Sequence, residues 1–383
     1  MCFLCFVLLS LLFQLANTGS LFAQTIDIAS NYAVLMDFDT GEVLFEKNKD
    51  EISAPSSMTK IMTAYVIFEL IESGSININD KFKVSVRAWR QDGTRMFLEP
   101  EWRVSVDDLL KGLLAISGND AAVTLAEGSL GSIENFVNRM NETAKKLGMK
   151  NTHFNNPNGL YEKTHYMSVY DLAILSRALI QNYREYYNKY FSIKSFSYNN
   201  VNQKNKNSLL TEYAGADGIK TGYTEQGKYS ITASAEKCNK RLIAVVNGSK
   251  NERERINEAK SLLNYGFSNY KCLNLFKEDD VVCETEALFS NKKRIIMYVK
   301  QDVNYPINNT NIDDISVKVV HDKYITAPVK KDDVVGKLRI IDKDIITEYN
   351  LYSKNEIKDI AKFDKIKTLL IYNLKRLIFF WKR

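Results

Sequence analysis

Ser57 and Lys60 stand three residues apart in Pro55-Ser-Ser-Met-Thr-Lys-Ile-Met. On a helix that spacing puts two side chains on one face and within reach of each other. A serine hydroxyl attacks poorly until a base takes its proton, and a lysine removed from water loses its charge and becomes such a base. The pair alone is not specific, because S-x-x-K recurs at Ser234, Ser268 and Ser290. The setting separates Ser57 from the rest. Met58 to Ile71 is apolar on nearly every side, the pattern of a helix in the middle of a domain, so a lysine on its first turn is enclosed. Ser117-Gly118-Asn119, between two helical stretches, adds a second hydroxyl and an amide. S-x-N also occurs at Ser75, Ser197, Ser249 and Ser353, and its plain reading is a helix cap. Lys220-Thr221-Gly222 occurs once. On an edge strand it offers a carboxylate a charge, a donor and close backbone access; its plain reading is a strand-edge turn.

These residues need a scaffold. Tyr32 to Phe45 reads as a β-hairpin turning at Asp39-Thr40-Gly41. Residues 105–128, 133–147, 168–182 and 253–265 carry helical periodicity, and Tyr229–Ala235 and Arg241–Asn247 look like adjacent strands. Residues 25–271 are therefore expected to form a mixed α/β domain. From 272 to 355 short Val/Ile/Tyr-rich runs, Ile295–Val299, Ile315–Val320 and Leu338–Ile341, alternate with polar turns, the texture of a smaller β-rich domain.

The ends read differently. Residues 1–24 carry no charge and are largely apolar up to residue 15, as in a secretory signal peptide, although no Lys or Arg precedes the apolar run. Residues 356–383 hold eight Lys/Arg against three Asp/Glu, which accounts for all but about one unit of the chain's formal +6. A near-neutral body with a basic tail argues against a nucleic-acid surface. At 100° per residue, Phe363, Ile366, Leu370, Leu374, Leu377, Ile378 and Trp381 share one arc of this tail, with most of its charges opposite. The pattern is expected to lie in a membrane surface as an amphipathic anchor; the plain alternative is a helix docked on the second domain. Cys238, Cys272 and Cys283 make an odd set in the exported chain, read as buried small hydrophobes with room for one bridge at most. The three histidines stand in no zinc-ligand spacing, so no metal is expected.

The order S-x-x-K, S-x-N, K-T-G is the signature of penicillin-binding proteins and class A β-lactamases. The longer stretches Met36-Asp-Phe-Asp-Thr-Gly-Glu-Val-Leu, Pro55-Ser-Ser-Met-Thr-Lys-Ile-Met-Thr-Ala-Tyr, Ser117-Gly-Asn-Asp-Ala-Ala and Asp217-Gly-Ile-Lys-Thr-Gly-Tyr-Thr resemble the low-molecular-mass D-alanyl-D-alanine carboxypeptidases, peptidase family S11. His153-Phe, Asn158-Gly-Leu and Tyr170-Asp-Leu-Ala fit the same resemblance, and Ala327-Pro-Val-Lys-Lys-Asp-Asp-Val-Val-Gly resembles the family's β-rich second domain. The resemblance implies the DD-peptidase/serine β-lactamase fold, an antiparallel sheet with helices on both faces. It implies a periplasmic enzyme that removes the terminal D-Ala from peptidoglycan stem peptides through an acyl-enzyme, binds β-lactams and needs no cofactor. Ser57 would be the nucleophile, Lys60 its base, and Ser117 and Asn119 the proton relay and positioning groups. Lys220 and Thr221, with Gly222 beside them, would receive the carboxylate, while the N–H groups of Ser57 and Tyr223 would form the oxyanion hole. Arg255 matches an arginine near that carboxylate, with Arg253 two residues away as its rival. Tyr223 stands where some relatives carry histidine, so no deacylation role of that side chain carries over.

Other readings keep the same fold. A DD-endopeptidase or transpeptidase uses the same residues. A class A β-lactamase needs a glutamate to activate the deacylating water, and the one E-x-x-x-N between the second and third motifs, Glu134 to Asn138, comes too early in the chain. An inactive cell-wall-binding module would leave every filled catalytic position without a use.

Overall fold

The computed structural model describes residues 26–366 except 291, 293, 309–314, 323, 324, 343, 344, 362 and 363. The expected signal peptide and most of the expected amphipathic tail lie outside the described residues. The hairpin forms from Tyr32–Asp37 and Val43–Lys47. It joins a five-stranded sheet in the order Val43–Lys47, Tyr32–Asp37, Lys240–Ser249, Lys228–Lys237, Ala216–Thr224, antiparallel at every step.

Alternation along the strands sends residues to two cores. Val34, Met36, Ile243 and Val245 pack in the larger core with helices Lys60–Glu72, Val106–Ala115 and Asn119–Leu130. Ala33, Leu35, Leu242, Ala244 and Val246 pack on the other side against Ile256, Ala259, Leu262 and Leu263 of the Glu252–Ser268 helix. With both faces covered, the strands read as unbroken apolar runs. The fold class expected from the sequence, a mixed α/β domain with helices on both faces of an antiparallel sheet, is what the chain adopts.

Helix starts follow local chemistry. Ser105, Ser132, Ser168 and Asn251 each accept a bond from the backbone N–H three residues on, satisfying a donor that has no partner within its own helix. The helix expected from Met58 begins with a 3₁₀ turn, Ser56–Thr59, and continues as Lys60–Glu72. The 105–128 stretch is broken after Ala115 and resumes at Asn119, so Ser117 and Gly118 form the joint.

The second domain opens with the strand Tyr270–Phe276. Its main sheet has six strands among the described residues, and Ile295, Met297, Leu338, Ile340 and Leu351 form its core. One expectation is corrected here. Ile357, placed in the tail, is buried in this core, and Val329 and Ile357 exchange backbone bonds, so the chain is still part of the β domain where the helix was to begin. Within the described part of the tail, helix occurs at residues 364–366. The one bridge left open in the sequence forms between Cys238 and Cys272. Cys238 lies between two core strands, and the Glu252–Ser268 helix carries the chain back to the same place, leaving their Cα atoms 5.7 Å apart. Cys283 is half-buried.

Candidate active site

The nucleophile segment, the Ser117 joint and the edge strand converge on one point. Lys60 is fully buried, and its Nζ donates to Ser57 Oγ at 3.0 Å, Asn119 Oδ1 at 2.7 Å and the Asn158 carbonyl at 2.6 Å. Two of these partners only accept. The third, a hydroxyl, can also donate, so a neutral amine keeps two donor bonds and turns its lone pair to Ser57. Burial, reinforced by the charge of Lys220, drives the Lys60 ammonium well below its ordinary range. The amide of Asn119 is oriented by its Nδ2 donating to the Asp92 carbonyl, which leaves Oδ1 for the lysine.

Ser57 is half-buried, open enough to be reached. Ser117 is 6% exposed, and its Oγ has no hydrogen-bond partner among the described residues. Thr94 holds the joint from both sides, its Oγ1 donating to Ser117 O at 2.7 Å and its carbonyl accepting from Asn119 N at 2.7 Å. Ser56 and Ser117 both adopt left-handed backbone, φ 52° and 65°. Non-glycine residues rarely do, and such strain concentrates where a side chain must be aimed.

Lys220 is also buried, its Nζ donating to the Thr221 carbonyl at 3.1 Å. Burial, then the charges of Arg255 and Lys206, lower it to about 7. Thr221 is buried beside it, whereas Tyr223 is half exposed and packs on Tyr229. Gly222 lets the strand approach the nucleophile: a Cβ there would lie 2.8 Å from Ser230 Oγ, 3.0 Å from Ser56 Cβ and 3.3 Å from the Pro55 carbonyl. The two arginines are placed differently. Arg255 is buried, with Nη1 donating to the Gly222 carbonyl at 3.1 Å, while Arg253 is exposed.

One wall had no counterpart among the expected site residues. Thr59 Oγ1 meets His165 Nε2 at 2.9 Å, and Thr63 Oγ1 donates to the Pro157 carbonyl at 2.6 Å. With the Lys60–Asn158 bond, these fasten the 155–165 loop along the nucleophile helix. His165 Nδ1 accepts from Asn155 N–H, so Nε2 carries the hydrogen, and burial lowers this histidine to about 4, keeping it neutral. Gly159, φ 81°, permits the approach, since a Cβ would fall 1.9 Å from the Ser56 carbonyl oxygen. Glu134 sits on the surface and pairs with Arg87 at 3.2 Å, away from this cluster. No group of acidic, histidine or cysteine residues able to hold a metal occurs among the described residues.

A serine beside an enclosed lysine, facing a cationic edge strand, defines an acyl-transfer enzyme of the serine DD-peptidase class. The chain belongs to the D-alanyl-D-alanine carboxypeptidase family, peptidase S11: that family's sequence model matches residues 20–251, and the model of the penicillin-binding protein 5 C-terminal domain matches residues 270–359. It is 38% identical over 340 residues to the D-alanyl-D-alanine carboxypeptidase DacF of Bacillus subtilis, covering 85% of each chain. Penicillin-binding protein 5 of Haemophilus influenzae superposes with a TM-score of 0.65 at 33% identity, over 88% of this chain and 99% of that one. Penicillin-binding protein D2 of Listeria monocytogenes, solved with ampicillin bound, gives a TM-score of 0.59 at 29% identity, over 63% of this chain and 99% of that one.

Proposed function

We propose that the protein is a serine-type D-Ala-D-Ala carboxypeptidase that trims the terminal D-Ala from peptidoglycan stem peptides and is acylated by penicillins. The observation that carries this reading is Lys60 Nζ at 3.0 Å from Ser57 Oγ in a buried, hydrogen-bonded pocket. In the proposed cycle, neutral Lys60 accepts the Ser57 proton as Oγ attacks the carbonyl of the penultimate D-Ala. The N–H groups of Ser57 and Tyr223 receive the developing oxyanion; one such donor is worth about 100- to 1000-fold. Lys220, Thr221 and Arg255 take the terminal carboxylate. Ser117 Oγ, without a hydrogen-bond partner among the described residues and next to Asn119, passes its proton to the departing D-Ala nitrogen and recovers one from the Lys60 ammonium, and water then cleaves the acyl-serine.

The unpaired outer edge of Ala216–Thr224 supports this reading, because an extended peptide can add there as a further strand. The surface position of Glu134 weighs against class A β-lactamase chemistry. DD-endopeptidase and transpeptidase activities use the same groups and differ in what leaves and what attacks. We place the enzyme outside the cytoplasm and on the membrane surface through the basic tail; among the described residues no helix is long and apolar enough to cross a membrane. The test is mass spectrometry of a disaccharide-pentapeptide incubated with the enzyme, joined to mapping of a fluorescent penicillin. A tetrapeptide product and an adduct on Ser57, both lost in Ser57→Ala, are expected. An adduct on Ser117, or one surviving in Ser57→Ala, refutes the assignment.

A further inference from the structure

A cavity of about 250 Å³ opens beside the candidate site. It is built by continuations of the same three segments. Ser53 and Ala54 lead directly into the nucleophile turn. Gln226 and Gly227 lie in the turn after the edge strand and Lys228 opens the next strand, while Tyr161 to Tyr166 continues the loop whose Asn158 carbonyl holds Lys60. Its lining carries one sign of charge. Lys163 and Lys228 are the charged residues among those lining it, no carboxylate lines it, and His165 is neutral. Both lysines are exposed. Tyr161, Tyr166 and the amide of Gln226 are neutral groups that line it beside them, while the buried Asn247 amide is spent on Ser53 Oγ and the Ala54 carbonyl.

Direction follows from the proposed carboxypeptidase reading, on which this inference rests. The leaving carboxylate sits at Lys220 and the scissile carbonyl at Tyr223, so the acyl side of the substrate continues along the strand toward Gln226. The strand ends at Thr224, one step of about 3.3 Å past Tyr223, and Lys228 pairs opposite Thr224, so the turn at the cavity lies one to two extended residues beyond the scissile carbonyl. We infer that this cavity is an acyl-side specificity subsite, in which Lys163 and Lys228 receive an anionic residue lying two places before the scissile D-Ala.

The test uses two synthetic pentapeptides ending in D-Ala-D-Ala that differ only in Glu or Gln two places before the scissile D-Ala. Wild type is expected to cleave the Glu peptide about 5- to 10-fold more efficiently in kcat/KM at low salt, the scale of two exposed charge pairs, with the preference shrinking as salt rises. Lys163→Glu/Lys228→Glu is expected to abolish or reverse the preference while leaving turnover of the Gln peptide and acylation by penicillin unchanged. Equal rates for the two peptides in wild type, or a preference that survives the double substitution, overturn the subsite while leaving the carboxypeptidase reading intact. Release of D-Ala from neither peptide, with no penicillin adduct, overturns that reading and the subsite with it.

Discussion

Gly222→Ala probes how closely the edge strand must approach the nucleophile. The added methyl would lie 3.0 Å from Ser56 Cβ, 2.8 Å from Ser230 Oγ and 3.3 Å from the Pro55 carbonyl. Ser230 can rotate its hydroxyl away. Ser56 cannot yield as easily, because its backbone is left-handed and its Oγ is bonded to Thr224 Oγ1 at 2.9 Å on the same strand. Carbon atoms rest at about 3.5–4.0 Å, so the strand and the nucleophile turn must part by roughly half an ångström or more. That gap opens between the two proposed oxyanion donors, Ser57 N and Tyr223 N. A misplacement of about 1 Å costs on the order of 100-fold in rate, so half of it is worth about tenfold. Overpacking should also cost about 1–3 kcal/mol of stability. The assay is the second-order rate constant for acylation by benzylpenicillin, with thermal unfolding recorded on the same sample. A folded variant that acylates within twofold of wild type would refute the argument that this contact sets the site.

Lys60→Arg keeps the charge but supplies no usable base, so acylation should fall about 100- to 10,000-fold with the fold intact, as read by penicillin labelling and circular dichroism. Because burial lowers Lys220 to about 7, peptide kcat/KM should fall as pH rises through about 7 and the cation awaiting the carboxylate is lost; Lys220→Arg should move that limb upward. The same depressed value makes the unfolded chain bind the extra proton between about pH 7 and 10.4, so titration of Lys220 should make the fold more stable across that window, measurable by denaturant titration. A chain ending after Ala361 should fold as the full one does and lose membrane association. A chain ending at Lys354 also discards buried Ile357 and should lose about 2 kcal/mol or more from the second domain, read by its unfolding midpoint.

The elements were legible where side chains announced them. Leu242–Val246 alternates between two covered faces and still reads as a strand, and serine or asparagine caps mark four helix starts. Ser57, Lys60, Ser117, Asn119 and Lys220 were legible because chemistry demanded their side chains. The Asn158 carbonyl was not, since a backbone acceptor leaves no trace in residue type, and its partner is set by how a loop lies on a helix. Arg255, named beside its rival Arg253, carries a further signal in the helix pattern. It shares a helical face with Ala259, Leu262 and Gly266, whereas Arg253 leads a face of Asn257, Lys260 and Asn264. The Cys238–Cys272 bond depends on where a 17-residue helix returns the chain, which spacing in sequence does not encode.

The left-handed serines have a consequence for how this protein can change. A left-handed non-glycine residue costs on the order of 1–2 kcal/mol, and glycine at Ser56 or Ser117 would recover part of it, less the extra freedom glycine gives the unfolded chain. Glycine at Ser117 would also delete the hydroxyl proposed to serve the departing group, and at Ser56 the bond that ties the nucleophile turn to the edge strand. Selection for heat tolerance alone would therefore erode turnover at these two positions first, and variants recovered from such a selection should be robust, well folded and slow.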